Sequence, residues 1–366
     1  MIKIKQKPED FIVREKLDIN KFLTDKGDFS YYKLTKTNYN TISAIKVIAR
    51  SWRLNEKFIN FAGTKDKNAV TEQYISIKNG PKKDLYIDNI TLNYLGIGKE
   101  RLNLGVLQGN EFEIIVETDK LPKKLSEKQI KKTINYFDDQ RFGINKNNHV
   151  VGKLLIQKKF KEACEKISLD IKTFHVDSNN YVGALRTVHK KLLQLYVHAY
   201  QSYLWNSVVS EYIKTNYGNY ELEYSLGKLC VPLVVNDLTG FSVPLIGFGS
   251  EDVLDKNEKI KPILEKIMEK EGIGVRDFII RELPELSSEG DEREIIVNID
   301  NLKIKEIEKK NIFIRVFNWV AMKSKKEEES KEVKKYKLTF TLQKGSYATM
   351  VVKTLFSWLE LTENNH

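Results

Sequence analysis

Three textures along one chain limit the folds open to it. Through residue 120, short apolar runs alternate in the manner of strands. They are Phe11-Ile12-Val13-Arg14-Glu15, Phe29-Ser30-Tyr31-Tyr32-Lys33-Leu34, Tyr74-Ile75-Ser76-Ile77 and Phe112-Glu113-Ile114-Ile115-Val116-Glu117. Ile42 to Trp52 has apolar residues at helical spacing with Thr41 as its cap, and Leu125 to Phe137 reads as a further helix. From about 153 the patterns lengthen and turn helical: Lys153 to Ile167, Leu185 to Ile213, and Lys259 to Lys270, which Gly272 ends. Gly and Pro cluster from 227 to 249 and predict loops with a few strands. The mixed-sign run Lys323 to Lys335 reads as a solvated loop or helix. An alternating strand returns at Lys337 to Leu342, and a helix starting near Tyr347 carries Leu355 to Leu361. The simplest organisation is an α+β domain, residues 1–152 and 312–366, interrupted by a mainly helical insertion, residues 153–311.

A length of 366 residues suits two domains with real cores. The net charge of +11 favours a polyanionic partner, most simply nucleic acid. Seventeen Tyr and seventeen Phe among many lysines provide faces on which unpaired bases stack, which suits RNA better than duplex DNA, although most of these rings belong to the core. Cys164 and Cys230 are far apart, and no two histidines stand at metal-ligand spacing, so neither a disulfide framework nor a metal site is expected. Met1 leads directly into charged residues, and no apolar run approaches the roughly 18 residues of a membrane span. The expected location is the cytoplasm, or the nucleus if the source has one. Gly96-Ile97-Gly98 meets Arg101 where a dinucleotide loop needs glycine, Gly247-Phe248-Gly249 meets Asp252, and no Gly-Lys-Ser/Thr closes a phosphate loop. Enzymes that use ATP or NAD are therefore disfavoured.

Phe61-Ala62-Gly63-Thr64-Lys65-Asp66-Lys67-Asn68-Ala69-Val70-Thr71 places one carboxylate in a short polar turn between apolar runs. Lysines flank it on both sides. Such a carboxylate can be desolvated and still held ionised by nearby positive charge, which prepares a nucleophile or base. Physics alone favours the plainer description, an exposed turn with an Asp and two solvated lysines.

The wording of this turn resembles the catalytic motif of the TruD family of pseudouridine synthases. Five other stretches are similar to the same family in the same order. They are Lys5-Gln6-Lys7-Pro8-Glu9-Asp10-Phe11-Ile12-Val13-Arg14-Glu15, then Leu104-Gly105-Val106-Leu107-Gln108-Gly109-Asn110-Glu111-Phe112, then Asn135-Tyr136-Phe137-Asp138-Asp139-Gln140-Arg141-Phe142-Gly143. His198-Ala199-Tyr200-Gln201-Ser202-Tyr203-Leu204-Trp205-Asn206, in its archaeal and eukaryotic form, and Gln343-Lys344-Gly345-Ser346-Tyr347-Ala348-Thr349 complete the set. Asp138 departs from members that carry Gly there and leaves the Gln-Arg-Phe-Gly core intact.

The resemblance implies a mixed, mostly antiparallel sheet with flanking helices, and a family-specific helical insertion. It implies isomerisation of uridine to pseudouridine in tRNA, with the uridine at tRNA position 13 as the target. That reaction involves no redox step and no energy input, so no cofactor is implied, and no metal. Asp66 matches the catalytic aspartate, acting at ribose C1′ or as a general base. Lys5 matches a lysine beside it, and Asn110 an amide that fixes its orientation. Phe112 matches a ring that stacks on the extruded uracil. Lys65, Lys67 and Arg141 are the basic residues expected to face the RNA. Tyr200, Tyr203, Leu204 and Trp205 read as core of the insertion. A monomer is the expected state. The competing readings are a tRNA-binding chaperone without chemistry, a cofactor-using RNA-modifying enzyme, and a pseudouridine synthase acting at other RNA positions.

Overall fold

The computed structural model describes residues 2–119, 131–170, 179–255, 257–307 and 333–364. The chain divides into two compact units. The first comprises Met1–Lys131, Asn298–Ala348 and Trp358–His366, and the second comprises Lys132–Val297 and Thr349–Ser357.

Among the described residues the first unit is built on ten strands. In chain order they begin with β1 (Ile2–Ile4), β2 (Phe11–Lys16), β3 (Phe29–Thr37), β4 (Ile59–Phe61), β5 (Val70–Lys78), β6 (Leu85–Ile87), β7 (Ile90–Gly98) and β8 (Gly109–Thr118). Helix α1 (Thr41–Trp52) follows β3. The last two strands of this sheet, β15 (Asp300–Ile307) and β16 (Lys334–Gln343), lie in sequence between the two segments of the second unit. The sheet order is β15-β16-β8-β2-β5-β3-β7-β6, with β1 paired to β8 and β4 to β5. β2 and β5 run parallel and the other pairs antiparallel.

Register explains what each face carries. Phe11 lies opposite Ile114, Val13 opposite Phe112 and Glu15 opposite Asn110. Phe112 is also opposite Phe340, and Asn110 opposite Leu342. Directly opposed residues point to the same side of an antiparallel pair, so these side chains share one largely buried face. The other face is a charge ladder. Arg14 pairs with Glu72, Glu111 and Glu113, while Lys337 pairs with Glu113 and Lys335 with Glu117. Gly109 opens β8 because a Cβ there would fall 2.2 Å from the Leu342 carbonyl oxygen. Helix α1 packs Ala44, Ile45, Ile48 and Ala49 with Tyr32, Leu34, Ile59, Ile75, Ile77, Ile90 and Leu92 of the strands.

The second unit holds β9 (Lys132–Ile134), α2 (Asn148–Ile156), α3 (Phe160–Asp170), α4 (Tyr181–Thr187) and α5 (Lys190–Asn216). After them come β10 (Asn219–Tyr224), β11 (Gly227–Pro232), β12 (Ser242–Leu245), α6 (Glu251–Asp255), α7 (Lys261–Glu271), β13 (Asp291–Glu294) and β14 (Ile296–Asn298). Its strands form two-stranded ribbons, β10-β11, β12-β13 and β14-β9. The final helix, α8 (Ala348–Asn364), has its stretch Thr349–Ser357 in this unit. Lys353 bridges Asp138 and Asp139 at 2.6 and 2.7 Å, which gives the buried, departing residue Asp138 an ion-pair partner. Helix α5 is the hub. Asn206 accepts from the Phe137 amide and donates to its carbonyl, and Trp205 Nε1 donates to Val243. Tyr200, Leu204 and Trp205 are fully buried, so most of the expected ring cluster is core, whereas Tyr203 is half-buried.

Several boundaries differ from expectation, each for a local reason. Asn40, not Thr41, caps α1, since its side chain accepts from Ser43 N. The helix expected over 153–167 is two, because Lys158 adopts φ 59° between them. The long helix expected from Leu185 starts anew at Lys190, with His189 as its cap. Lys132–Ile134, expected within a helix, is a strand, and residues 125–130 of that expectation lie outside the described residues. Most of the charge run 323–335 lies outside them too. Gly272 does end α7, at φ 66°. Among the described residues, no helix is long and apolar enough to cross a membrane.

Candidate active site

The turn carrying Asp66 connects β4 to β5, and the sheet holds it from below. Asp66 is 22% exposed, and its Oδ2 accepts from Lys5 Nζ at 2.7 Å. Lys5 sits between β1 and β2 at φ 57°. A left-handed conformation costs a non-glycine residue on the order of 1–3 kcal/mol, so surrounding contacts must hold it there. One such contact is the Phe11 ring, whose centroid lies 3.9 Å from the ammonium. A cation between an aromatic face and a carboxylate is attracted to both, and its pull on Asp66 strengthens as water is excluded.

The turn's main chain is fixed by side chains to which sequence reading assigns no role at this site. Lys65 N donates to Thr41 Oγ1 at 2.9 Å, and that hydroxyl donates to Gln73 Oε1 at 2.8 Å. Gln73 Nε2 returns to the Gly63 carbonyl at 3.1 Å. Lys36 is fully buried and donates to the Asp66 carbonyl at 2.9 Å. Burial pulls its ammonium down to about 8, with Asp66 pulling it up and Lys65 down. A signal for Lys36 and Glu15 was present in the periodicity. Lys36 follows Tyr32 and Leu34 at a spacing of two on the buried side of β3, as Glu15 follows Phe11 and Val13 on β2. A charge on the apolar phase of a strand needs a partner in the interior.

The expected site residues fall into distinct surroundings. Lys5 and Asp66 meet directly. Lys65 points inward: its Nζ meets Glu15 Oε2 at 2.6 Å, with the two side chains 5% and 0% exposed. Lys65 was expected to face substrate; here its ammonium is paired with Glu15 in the interior. Lys67 is exposed on the turn. Asn110 lies across from Glu15 on the buried face, and its buried Oδ1 finds no hydrogen-bond partner among the described residues. Phe112 is buried at 6% exposure, its ring stacked on Phe340 at 5.5 Å and edge-on to Phe11 at 6.2 Å. Asp66, Lys5, Phe11 and Phe112 therefore form one chain of contacts. Arg141 belongs to the second unit, where its Nε donates to Ser202 Oγ at 2.9 Å.

Fold and site together describe an α+β protein with one carboxylate, backed by a lysine, in a turn on a mostly antiparallel sheet. Comparison with known proteins places that class. The family model for tRNA pseudouridine synthase D (TruD) matches residues 1–174, 169–223 and 238–355. A probable tRNA pseudouridine synthase D of Nanoarchaeum equitans is 30% identical, covering 97% of this chain and 98% of its own length. A probable tRNA pseudouridine synthase D 2 of Methanocaldococcus jannaschii is 32% identical, covering 97% and 92%. The crystal structure of the putative tRNA pseudouridine synthase D of Methanosarcina mazei shares the fold, with a TM-score of 0.59 at 23% identity over 95% of this chain and 92% of that one. The chain belongs to the TruD family of tRNA pseudouridine synthases.

Proposed function

We propose that this chain isomerises uridine to pseudouridine in tRNA, at position 13 and without a cofactor, with Asp66 as the catalytic carboxylate. Family membership supports the reaction class, and the Lys5–Asp66 contact at 2.7 Å is the observation that carries the site. In the reaction the glycosidic C–N bond breaks and the same base rejoins the ribose through a ring carbon. The atoms of substrate and product are the same, so no co-reactant is consumed. Two routes are open to the carboxylate: attack on ribose C1′ and removal of a proton as general base. Lys5 keeps it ionised as RNA displaces water. Asn110, whose buried oxygen finds no partner among the described residues, serves to orient Asp66, and Phe112 backs the base that is taken out of its stack. Lys67 and Arg141 face phosphate. The catalytic parts are residues 1–152 and 312–366, the insertion 153–311, and the working state a monomer in the cytoplasm.

The test is to incubate purified protein with transcribed tRNA, without added cofactor, and to map pseudouridine. Product at position 13 supports the reading, and product at another uridine moves the target and leaves the reaction. Binding without product would replace it with a non-catalytic tRNA-binding protein. Asp66→Asn is expected to abolish product while leaving the tRNA Kd within about threefold, since one carboxylate acts against many distributed phosphate contacts. Turnover near the wild-type rate in that variant would remove Asp66 from its role.

A further inference from the structure

Lys36 and Lys65 are both buried beside the Asp66 turn, and they differ in what they meet. Lys65 is neutralised by Glu15. Lys36, at 0% exposure, donates to three main-chain carbonyls: Tyr39 at 2.5 Å, Asp66 at 2.9 Å and Lys65 at 3.5 Å. Burying an ammonium is costly even with carbonyl acceptors and the Asp66 charge close by, and an apolar residue would fill the same volume at less cost. A charge kept in such a place needs a use. Its position supplies one, because two of the three carbonyls belong to the residues that set where Asp66 stands.

We propose that Lys36 is a positioning residue for the catalytic carboxylate, tying the main chain of Lys65 and Asp66 to Tyr39 and keeping positive charge close to Asp66. The proposal rests on the reading of Asp66 as catalytic. The charged groups facing the ammonium are Asp66 and Lys65, both on the turn. Its cross-strand neighbours, Thr71 of β5 and Ile90 of β7, are uncharged. Burial lowers Lys36 to about 8, so the ammonium becomes a neutral amine above that pH and its pull on Asp66 is lost. Turnover then falls. The effect of the same group on stability has the opposite sign. Between pH 8 and the ordinary lysine value of 10.5 the unfolded chain binds the proton that the folded chain has released, so raising the pH favours the folded state. An alkaline loss of turnover from Lys36 is thereby distinguishable from unfolding.

The experiment compares wild type, Lys36→Met, Lys36→Arg and Asp66→Asn on transcribed tRNA. Single-turnover rate, KM, tRNA Kd and Tm are measured between about pH 6.5 and about pH 9.5. Wild type is expected to lose turnover above pH 8 while its Tm holds. In Lys36→Met, kcat should fall at least about tenfold with KM within about threefold, and the alkaline limb near 8 should vanish. Lys36→Arg, permanently charged, should recover part of the rate and also lack that limb. Wild-type turnover in folded Lys36→Met would overturn the proposal, as would a flat wild-type profile. If Lys36→Met does not fold, the wild-type profile with its parallel Tm decides. Full activity of Asp66→Asn would overturn the reading of Asp66 instead, whatever the Lys36 variants do.

Discussion

Phe112 is the residue where packing and chemistry meet most closely. Its ring is buried between Phe340 and Phe11, and Phe11 carries the ammonium that holds Asp66. Removing a large buried ring costs about 3–5 kcal/mol, so Phe112→Ala is expected to lower the Tm by several degrees. Turnover per folded molecule separates the second role from the first. A loss beyond about tenfold keeps Phe112 as a wall of the base site, since stacking is worth about 1–3 kcal/mol per base. Preserved turnover would make it core alone. Lys65 argues differently from its neighbour Asp66. Removing one partner of a buried ion pair costs about 3–5 kcal/mol, so Lys65→Met should be among the most destabilising changes in the turn. Urea melts of Lys65→Met beside Lys67→Met check this, and equal, small losses would show that the Glu15 contact does little.

Helix α1 and strand β5 do for the turn what single residues cannot. Thr41, expected only as a cap, lies at the first position of α1 and turns its hydroxyl between Lys65 N and Gln73 Oε1 of β5. Thr41→Val leaves both groups buried and unpaired, an expected cost of about 1–3 kcal/mol. A small misplacement of a reacting group can also cost on the order of 100-fold in rate. Turnover should therefore fall further than the folded fraction, whereas Thr41→Ser should stay near wild type. Equal behaviour of the two variants would leave the hydroxyl without a role. The strands themselves were legible because a period of two survives wherever one face is buried: β2, β3, β5 and β8 appear where alternation predicts them. The helices were overextended because helical spacing persists across a break that one residue at positive φ can make, as at Lys158.

Across the whole molecule the net charge of +11 sets an expectation about binding. Phosphate contacts release counterions, so tRNA affinity should fall steeply across a salt series. A flat dependence would contradict phosphate-dominated binding. The units also bear on where the chain can be cut. Thr349–Ser357 of α8 belongs with Lys132–Val297, and within it Val351, Val352, Leu355 and Phe356 are buried. A deletion of 153–311 would strip the partners of these residues along with the insertion. Size-exclusion chromatography and near-UV circular dichroism of that deletion are expected to report aggregation or loss of fixed packing. A monodisperse, cooperatively folding product would show that the remaining chain covers them.

By itself the sequence determined the α+β class, the positions of the main strands, the family and the motif in which Asp66 stands. These are local or colinear properties: periodicity, turn chemistry and the order of short motifs survive without knowledge of what packs on what. The family resemblance already set Lys5 beside Asp66, and tertiary structure alone decided what Lys36 and Lys65 meet. Lys5, Lys36 and Lys65 are chemically alike and all near Asp66 or its turn, yet one meets the carboxylate, one the main-chain carbonyls and one Glu15. That assignment depends on strand register and on the direction each side chain leaves the sheet. Both arise from contacts between residues far apart in sequence, 61 positions for Lys5 and Asp66 and 50 for Glu15 and Lys65, which no local pattern records.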